Sequence, residues 1–267
     1  MALHATYTGA NGWILEFEHP GRPPLKVLLD PWLVGELRFL PGDWFFTGRQ
    51  RQPQPIPEAI DLLLLTQGLP DHAHPPTLKQ LPRSIPVVGS AAAAGIVRGL
   101  GFTSVRELSP GDSTTVADQL SITATAGAAV PQLENGYLLH HPAGSLYVEP
   151  HGFLAPADRL PAEPLDAVIT PVVDLGLPLA GAFVRGRTVL PELLERFQPI
   201  TVLASSAGGE ISYEGLLSQL LWQKGSCQET AGLLPPGVQL IDPVPGERRT
   251  LLPAPPPADA SRSQHPG

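Results

Sequence analysis

The stretch that most constrains the fold is residues 62–78, Leu-Leu-Leu-Leu-Thr-Gln-Gly-Leu-Pro-Asp-His-Ala-His-Pro-Pro-Thr-Leu. A short run of leucines that stops at a polar, turn-rich segment is typical of a buried strand that ends in a loop. Two prolines then open a helix, because proline is tolerated in a first helical turn. The pattern therefore predicts a strand that delivers aspartate and histidine side chains, all of them potential ligands, to the start of a helix.

This stretch resembles the signature of the metallo-β-lactamase superfamily. In that signature an apolar strand ends in Thr-His-x-His-x-Asp-His, and the imidazoles and the carboxylate hold one or two zinc ions. Thr66, Asp71 and His72 match the pattern, whereas Gln67 and Leu69 stand at the first two histidine positions. The resemblance thus covers half of the motif, and the missing half is the half that binds the first metal in the family.

Segments spread over the whole chain look like a divergent branch of this family found in cyanobacteria and plant plastids, which is itself short of the usual metal ligands. These segments are residues 30–35 (Asp-Pro-Trp-Leu-Val-Gly), 66–74, 125–127 (Thr-Ala-Gly), 134–137 (Glu-Asn-Gly-Tyr) and 147–151 (Tyr-Val-Glu-Pro-His). Strand-rich halves with a few interspersed helices favour a layered α/β arrangement. The resemblance, which runs from about Leu3 to Ile241, sharpens this to a four-layer αββα sandwich.

The remaining ligand positions of the family are also altered. Ala128 stands where the resemblance places a histidine after a strand and a glycine, and alanine cannot bind a metal. His151 falls at the position of an aspartate ligand, with Glu149 two residues earlier, and no histidine lies near residues 205–208, where a last one is expected. Because the losses fall in several separate segments, we do not expect the usual two-zinc site.

Two interpretations of the surviving residues stay open. In the first, the metal site is degenerate and the protein binds an unknown small molecule. Asp71, His72 and His151 then have a structural role, because they form hydrogen bonds with backbone donors and hold the loop in place. In the second, the three residues hold one zinc or other divalent ion of a reduced hydrolase, and Glu149 or His74 assists. The predicted catalytic residues are then Asp71 and Glu149, and the predicted metal ligands are His72, His151 and His74, since catalytic zinc needs about three such donors and an open position.

A third interpretation is a protein-interaction module. Residues 33–56 show no clear period and carry Trp44-Phe45-Phe46, which either contact a partner or pack down onto the domain. The proline-rich end, residues 253–267, cannot build a core and is predicted to be disordered, which leaves residues 1–252 as one domain. In this interpretation the aromatic segment and the proline-rich end form the contact surface.

Composition excludes several other classes. A formal net charge of -8 argues against nucleic-acid binding, which usually needs a basic face. No apolar run approaches the roughly 20 residues of a membrane span, and the N-terminus lacks the layout of a secretory signal. The single cysteine, Cys227, excludes an internal disulfide and a cysteine-rich zinc site. We therefore expect a soluble cytoplasmic protein that binds neither nucleic acid nor membrane, and the sequence leaves its oligomeric state open.

Overall fold

The computed structural model describes residues 1–117, 119–129, 133–157, 159–160, 162–205 and 210–251. The strands in these ranges are β1 Leu3–Gly9, β2 Gly12–His19, β3 Arg22–Leu29, β4 Leu37–Arg38, β5 Thr47–Gln50, β6 Leu62–Leu65, β7 Val87–Gly89, β8 Val105–Glu107, β9 Ser113–Val116, β10 Leu120–Ala126, β11 Asn135–His141, β12 Gly144–Val148, β13 Ala167–Pro171, β14 Asp174–Leu177, β15 Gly181–Arg185, β16 Thr201–Ser205, β17 Ile211–Glu214, β18 Trp222–Lys224, β19 Gln239–Ile241 and β20 Arg248–Leu251. The helices are α1 Pro75–Leu78, α2 Ala91–Gly99, α3 Gly186–Phe197 and α4 Cys227–Ala231, with a 3₁₀ helix at Leu217–Gln219. The predicted disordered tail and most of the segment near residue 206 lie outside the described residues.

Two seven-stranded sheets form the centre of the molecule. Their strand orders are β20-β1-β2-β3-β6-β7-β8 and β19-β16-β13-β12-β11-β10-β9. In each sheet an antiparallel half joins a parallel half: β3 pairs in parallel with β6 in the first, and β12 with β13 in the second. Two three-stranded sheets, β15-β14-β18 and β17-β5-β4, are added to this framework.

The leucine run of β6 shows how the layers are built. Successive side chains of a strand point to opposite faces. Leu62 and Leu64 belong to the core cluster shared by both large sheets, whereas Leu63 and Leu65 pack in a second cluster with Val97 of α2. All four leucines are fully buried, which explains why the strand is uniformly apolar rather than alternating.

A matching outer layer covers the second sheet. Leu193 and Phe197 of α3 pack with Val168 of β13 and Val202 of β16. The order helix, sheet, sheet, helix confirms the predicted αββα sandwich. The helix α2 begins with a side-chain cap, since the Ser90 side chain accepts a hydrogen bond from the Ala93 amide.

Two local predictions were wrong. The sequence pattern of residues 213–222 predicts a helix, but these residues form most of β17, a 3₁₀ turn and the start of β18, because β17 pairs with the distant β5. Residues 33–56, which show no clear period, contain β4 and β5, because β5 pairs both with the nearby β4 and with the distant β17. Long-range pairing decided both cases, and local sequence patterns carry little information about it.

Candidate metal centre

The site begins where two parallel strands end side by side. Asp30 follows β3 and Thr66 follows β6, and both residues are buried. The Asp30 carboxylate accepts the Thr66 amide at 2.8 Å and the Thr66 hydroxyl at 2.5 Å. These two hydrogen bonds fix the start of the loop that carries Asp71 and His72.

His72 is fully buried next to Asp30 and Thr66. Its Nδ1 lies 2.8 Å from Asp30 Oδ2 and 2.9 Å from Thr66 Oγ1, and its Nε2 lies 3.1 Å from Asn11 Nδ2 and 3.4 Å from Asp71 Oδ2. Burial opposes protonation of the ring, but the Asp71 and Asp30 carboxylates outweigh it and hold the pKa of His72 well above its usual value. Because an aspartate faces Nδ1, a neutral His72 carries its proton there, and its Nε2 lone pair accepts from the Asn11 amide. An ion bound at Nε2 would take the place of this hydrogen bond.

His151 is held in the same manner from the other sheet. Its Nδ1 lies 2.6 Å from Glu134 Oε1. Glu134 is fully buried and also accepts the Gln67 amide at 3.0 Å and the Ala128 backbone N–H at 3.1 Å. Burial opposes ionisation of Glu134, yet the facing His151 outweighs it and lowers the pKa of Glu134. Glu134 in turn raises the pKa of His151 against the effect of burial.

Asp71, His72 and His151 meet in one cluster. One ligand atom from each lies within 4.8 Å of the others, and the two imidazole centroids are 5.0 Å apart. Burial raises the pKa of Asp71, but the adjacent His72 outweighs this and the net direction is down, so the carboxylate is the favoured form. Within the described part of the chain, Asp71 Oδ1 is buried and has no hydrogen-bond partner.

This donor set fits one divalent ion. Two imidazoles and a carboxylate are ligands that zinc accepts, and three protein donors with an open position are typical of catalytic zinc. Three donors arranged tetrahedrally around an ion at about 2.1 Å lie about 3.4 Å from one another. Ligand atoms that are up to 4.8 Å apart therefore need to approach one another by up to about 1.4 Å. The unpartnered Asp71 oxygen is the atom that gains most from such a cation.

Glu149, predicted as catalytic, does not join the cluster. Its buried carboxylate accepts the backbone N–H groups of its own loop, from His151 at 3.3 Å and from Gly152. Burial, and then the charge of Glu134, raise the pKa of Glu149 to about 7. Glu149 therefore shapes the loop that carries His151 rather than facing the cluster.

His74, predicted as a ligand, also lies outside the cluster. Its Nδ1 is 3.0 Å from Thr77 Oγ1 and its Nε2 is 3.2 Å from the Glu36 carbonyl, so both ring nitrogens are engaged. Thr77 Oγ1 in turn accepts the Leu33 amide at 2.9 Å. His74 thus fastens the segment after β3 to α1, and burial lowers its pKa.

Sequence reasoning did not assign roles to Asp30, Glu134 and Asn11. Asp30 carried a signal, since an aspartate that ends an apolar strand lies at a sheet edge where sites form. Glu134 begins one of the segments that carry the family resemblance, but nothing in the sequence indicated its partner. Asn11 carried no signal, because its partner His72 is distant in the chain. The position of Ala128 contributes through its backbone N–H, which any residue except proline supplies.

The predicted aromatic segment packs against the strand β17. The Phe46 ring stacks on Tyr213, with centroids 5.2 Å apart and planes at 10°. Trp44 remains 65% exposed, although its carbonyl accepts the Leu216 amide at 3.0 Å. Phe46 therefore packs down onto the domain, while Trp44 stays at the surface.

Comparison with known proteins places this geometry in context. The sequence model of a family described as "Beta-lactamase superfamily domain" matches residues 4–205. Three solved structures share the fold at low sequence identity, and each alignment covers most of both chains. They are a possible metal-dependent hydrolase from Veillonella parvula (14% identity, TM-score 0.67, 94% of this chain and 100% of that one), Igni18, a metallo hydrolase from Ignicoccus hospitalis (15%, 0.58, 94% and 98%), and an isothiocyanate hydrolase from Delia radicum gut bacteria (18%, 0.58, 76% and 84%).

Two further findings concern curated relatives and membrane-spanning helices. No curated protein matches the sequence. None of the helices in the described part of the chain has the length and apolar character needed to cross a bilayer.

Proposed function

The chain belongs to the metallo-β-lactamase superfamily, and from that premise we propose that it is a metal-dependent hydrolase with a reduced site for a single ion. The observation that carries the proposal is the pair of carboxylates behind the two cluster histidines. Asp30 faces Nδ1 of His72 at 2.8 Å, and Glu134 faces Nδ1 of His151 at 2.6 Å. Metal-binding histidines almost always have such a partner, which fixes the tautomer and strengthens the ring as a ligand.

Asp71, His72 and His151 would hold the ion, and the other polar residues would orient them. When bound, the ion supplies the Lewis acidity that activates water and polarises the bond to be hydrolysed. His72 is fully buried, whereas the side chain of Asp71 is 22% exposed and that of His151 is 13% exposed. A substrate therefore reaches the cluster from the side of Asp71 and His151.

The altered ligand positions support one ion rather than two. The Gln67 amide donates to Glu134, the Leu69 side chain has no donor atom, and Ala128 contributes only its backbone N–H. These are the positions at which the family signature places its first-metal histidines. The proposal is thus a hydrolase that lacks the usual two-zinc site.

A second candidate is a metal-free binding protein with a degenerate site. It is favoured by the raised pKa of both His72 and His151, because a protonated imidazole binds no metal. In that state the two imidazolium rings offset two of the three surrounding carboxylates, Asp30, Asp71 and Glu134, without any ion. The domain would then bind an unidentified small molecule at the former site.

Metal content separates the two candidates. We expect about one equivalent of zinc, manganese or iron, measured by mass spectrometry on untagged protein purified without chelator. The double variant Asp71→Ala/His72→Ala should lose the metal. His74→Gln, a matched control outside the cluster, should keep it. If the unaltered protein is free of metal after incubation with each ion and dialysis, the hydrolase proposal is overturned in favour of the second candidate.

A further inference from the structure

A small sheet packs beside the candidate metal centre. It consists of β4, β5 and β17. Ile211 at the start of β17 packs in one cluster with Trp32 and Ala10. Ala10 precedes Asn11, whose side-chain nitrogen lies 3.1 Å from Nε2 of His72. The small sheet is therefore anchored to the same turn that contacts a predicted metal ligand.

Tyr213 of β17 lies close to Asp71 of the cluster. It pairs with Gly48 of β5, and a Cβ added at Gly48 would lie 3.1 Å from Trp32 Cη2 and 3.2 Å from Tyr213 Cε1, so the two rings meet over the glycine. Burial, and then the charge of Asp71, raise the pKa of Tyr213, and Asp71 contributes more than Glu210, a near neighbour in the chain. Because the effect of a charge on a pKa falls with distance, the Tyr213 hydroxyl and the Asp71 carboxylate lie near each other.

The hydroxyl of Tyr213 is free for a ligand. Among the residues that the structure describes, it has no hydrogen-bond partner. The other three tyrosines each have one: the hydroxyl of Tyr7 donates to the Ala10 carbonyl, that of Tyr137 donates to the Leu65 carbonyl, and that of Tyr147 lies 3.2 Å from Thr125 Oγ1. A buried polar group without a partner destabilises the folded protein unless water or a ligand supplies the missing hydrogen bond. The Tyr213 hydroxyl therefore indicates a ligand-binding role next to the cluster.

The ring of Tyr213 offers an apolar surface beside this hydroxyl. Tyr213 is 41% exposed, and because its hydroxyl is buried, much of that exposed surface belongs to the ring. The ring stacks on Phe46, which packs in turn against Phe39 with centroids 5.4 Å apart. The Phe39 amide donates to the Phe46 carbonyl at 3.1 Å, so the backbone holds this stack in place. A fixed, partly exposed ring suits a planar apolar group, since aromatic pairs favour stacked or tilted contacts.

This inference rests on the hydrolase function proposed above and adds a substrate class to it. We propose that Tyr213 binds the substrate of the metal centre, and that this substrate carries an aromatic group next to the bond that is hydrolysed. The aromatic group packs against the Tyr213 ring, and the Tyr213 hydroxyl donates a hydrogen bond to an oxygen of the hydrolysed group. Small-molecule sites combine apolar walls with a few placed polar groups in this way. Asp71, the ligand near Tyr213, is also on the accessible side of the cluster, so Tyr213 lies where a substrate enters.

Calorimetric titration with benzamide, which joins a benzene ring to a carbonyl oxygen, tests the proposal without relying on activity. The full chain is titrated as purified and again in EDTA, and benzamide should bind with millimolar or tighter affinity in both. Cyclohexanecarboxamide, the same amide on a saturated ring, should bind about two- to tenfold more weakly, because the aromatic contact is lost. Tyr213→Phe keeps the ring but removes the hydroxyl, and it should weaken benzamide about two- to tenfold. Tyr147→Phe, the same change at a fully buried tyrosine, should leave the affinity unchanged.

Four results would overturn the role of Tyr213. These are no binding of benzamide at about 10 mM, equal binding of the saturated amide, an unchanged affinity in Tyr213→Phe, or a lower Tm of that variant, which would show that the hydroxyl is bonded within the protein. Failure of the hydrolase proposal is distinguishable, because metal content decides it. Bound metal without the benzamide effects overturns the role of Tyr213 alone. The benzamide effects in a protein that takes up no metal overturn hydrolysis alone and leave Tyr213 as a ligand-binding residue of the second candidate.

Discussion

Replacing Asp30 with asparagine tests the architecture of the metal centre most directly. Asp30 has a φ of 41°, a conformation that asparagine tolerates well, so the backbone is preserved. The remaining Oδ1 can still accept the Thr66 amide, but the new NH₂ group faces Nδ1 of His72. A donor in that place requires Nδ1 to accept, which moves the ring proton to Nε2. The altered tautomer has no Nε2 lone pair for an ion.

The size of the effect follows from these contacts. Removing one partner of a buried charged pair costs about 3–5 kcal/mol. The retained bond to the Thr66 amide and a neutral bond to His72 each offset about 0.5–1 kcal/mol. We therefore expect Asp30→Asn to lower the free energy of unfolding by about 1–4 kcal/mol, or roughly 2–16 °C in Tm for a chain of this size. Metal affinity should fall about 10–100-fold.

Urea unfolding in the presence of EDTA measures the change in the free energy of unfolding without a contribution from bound metal. Competition with a chelator measures the change in metal affinity. The matched control is Asp61→Asn, because Asp61 is exposed and accepts one backbone N–H. If Asp30→Asn and Asp61→Asn share the same urea midpoint and the same metal affinity, Asp30 does not orient His72 and the reasoning is refuted.

Three further predictions concern a loop, a buried histidine and the core. Gly152→Ala should destabilise the protein by more than about 2 kcal/mol in urea unfolding, because φ is 75° and an added Cβ would clash with the Arg185 backbone. An unchanged midpoint would show that the loop relaxes freely. His74→Gln should lower the free energy of unfolding by about 1–3 kcal/mol by the same assay, since the ring forms a hydrogen bond with Thr77. Metal content should stay the same, because His74 lies outside the cluster, and loss of metal would contradict its packing role. Leu64→Ala should lower the free energy of unfolding by about 2–5 kcal/mol, because the side chain is fully buried between the two sheets. A decrease below about 1 kcal/mol in thermal or urea unfolding would place Leu64 outside the core.

The parts of the fold that follow from local patterns were predictable. The run Leu62–Leu65 indicates a strand buried on both faces, and Ser90 before four alanines indicates a capped helix. The resemblance supplied the layer order around them. Residues 213–222 have a helical pattern, yet pairing of β17 with β5 overrides it.

The candidate site was predictable only in part. Asp71, His72 and His151 came from the motif and its spacing, and the structure brings them together. Their orienting partners are separated from them by 42 residues for Asp30 and His72, and by 17 for Glu134 and His151. Only the pairing of strands places such residues in contact, so one sequence without its sheet register does not identify them.

Gln67 has two effects on the candidate site. It replaces a histidine of the family signature, and it supports the carboxylate that orients His151. It occupies the first histidine position of the family signature, and its amide donates to the same Glu134 oxygen that accepts from His151. A histidine that bound an ion there would present no amide N–H to Glu134, and the buried carboxylate would lose one of its donors. Because an undersatisfied buried carboxylate is costly, the side chain at position 67 affects how firmly Glu134 orients His151. In the proposed single-ion site, the glutamine that stands in place of a family ligand would therefore also support His151 as a ligand.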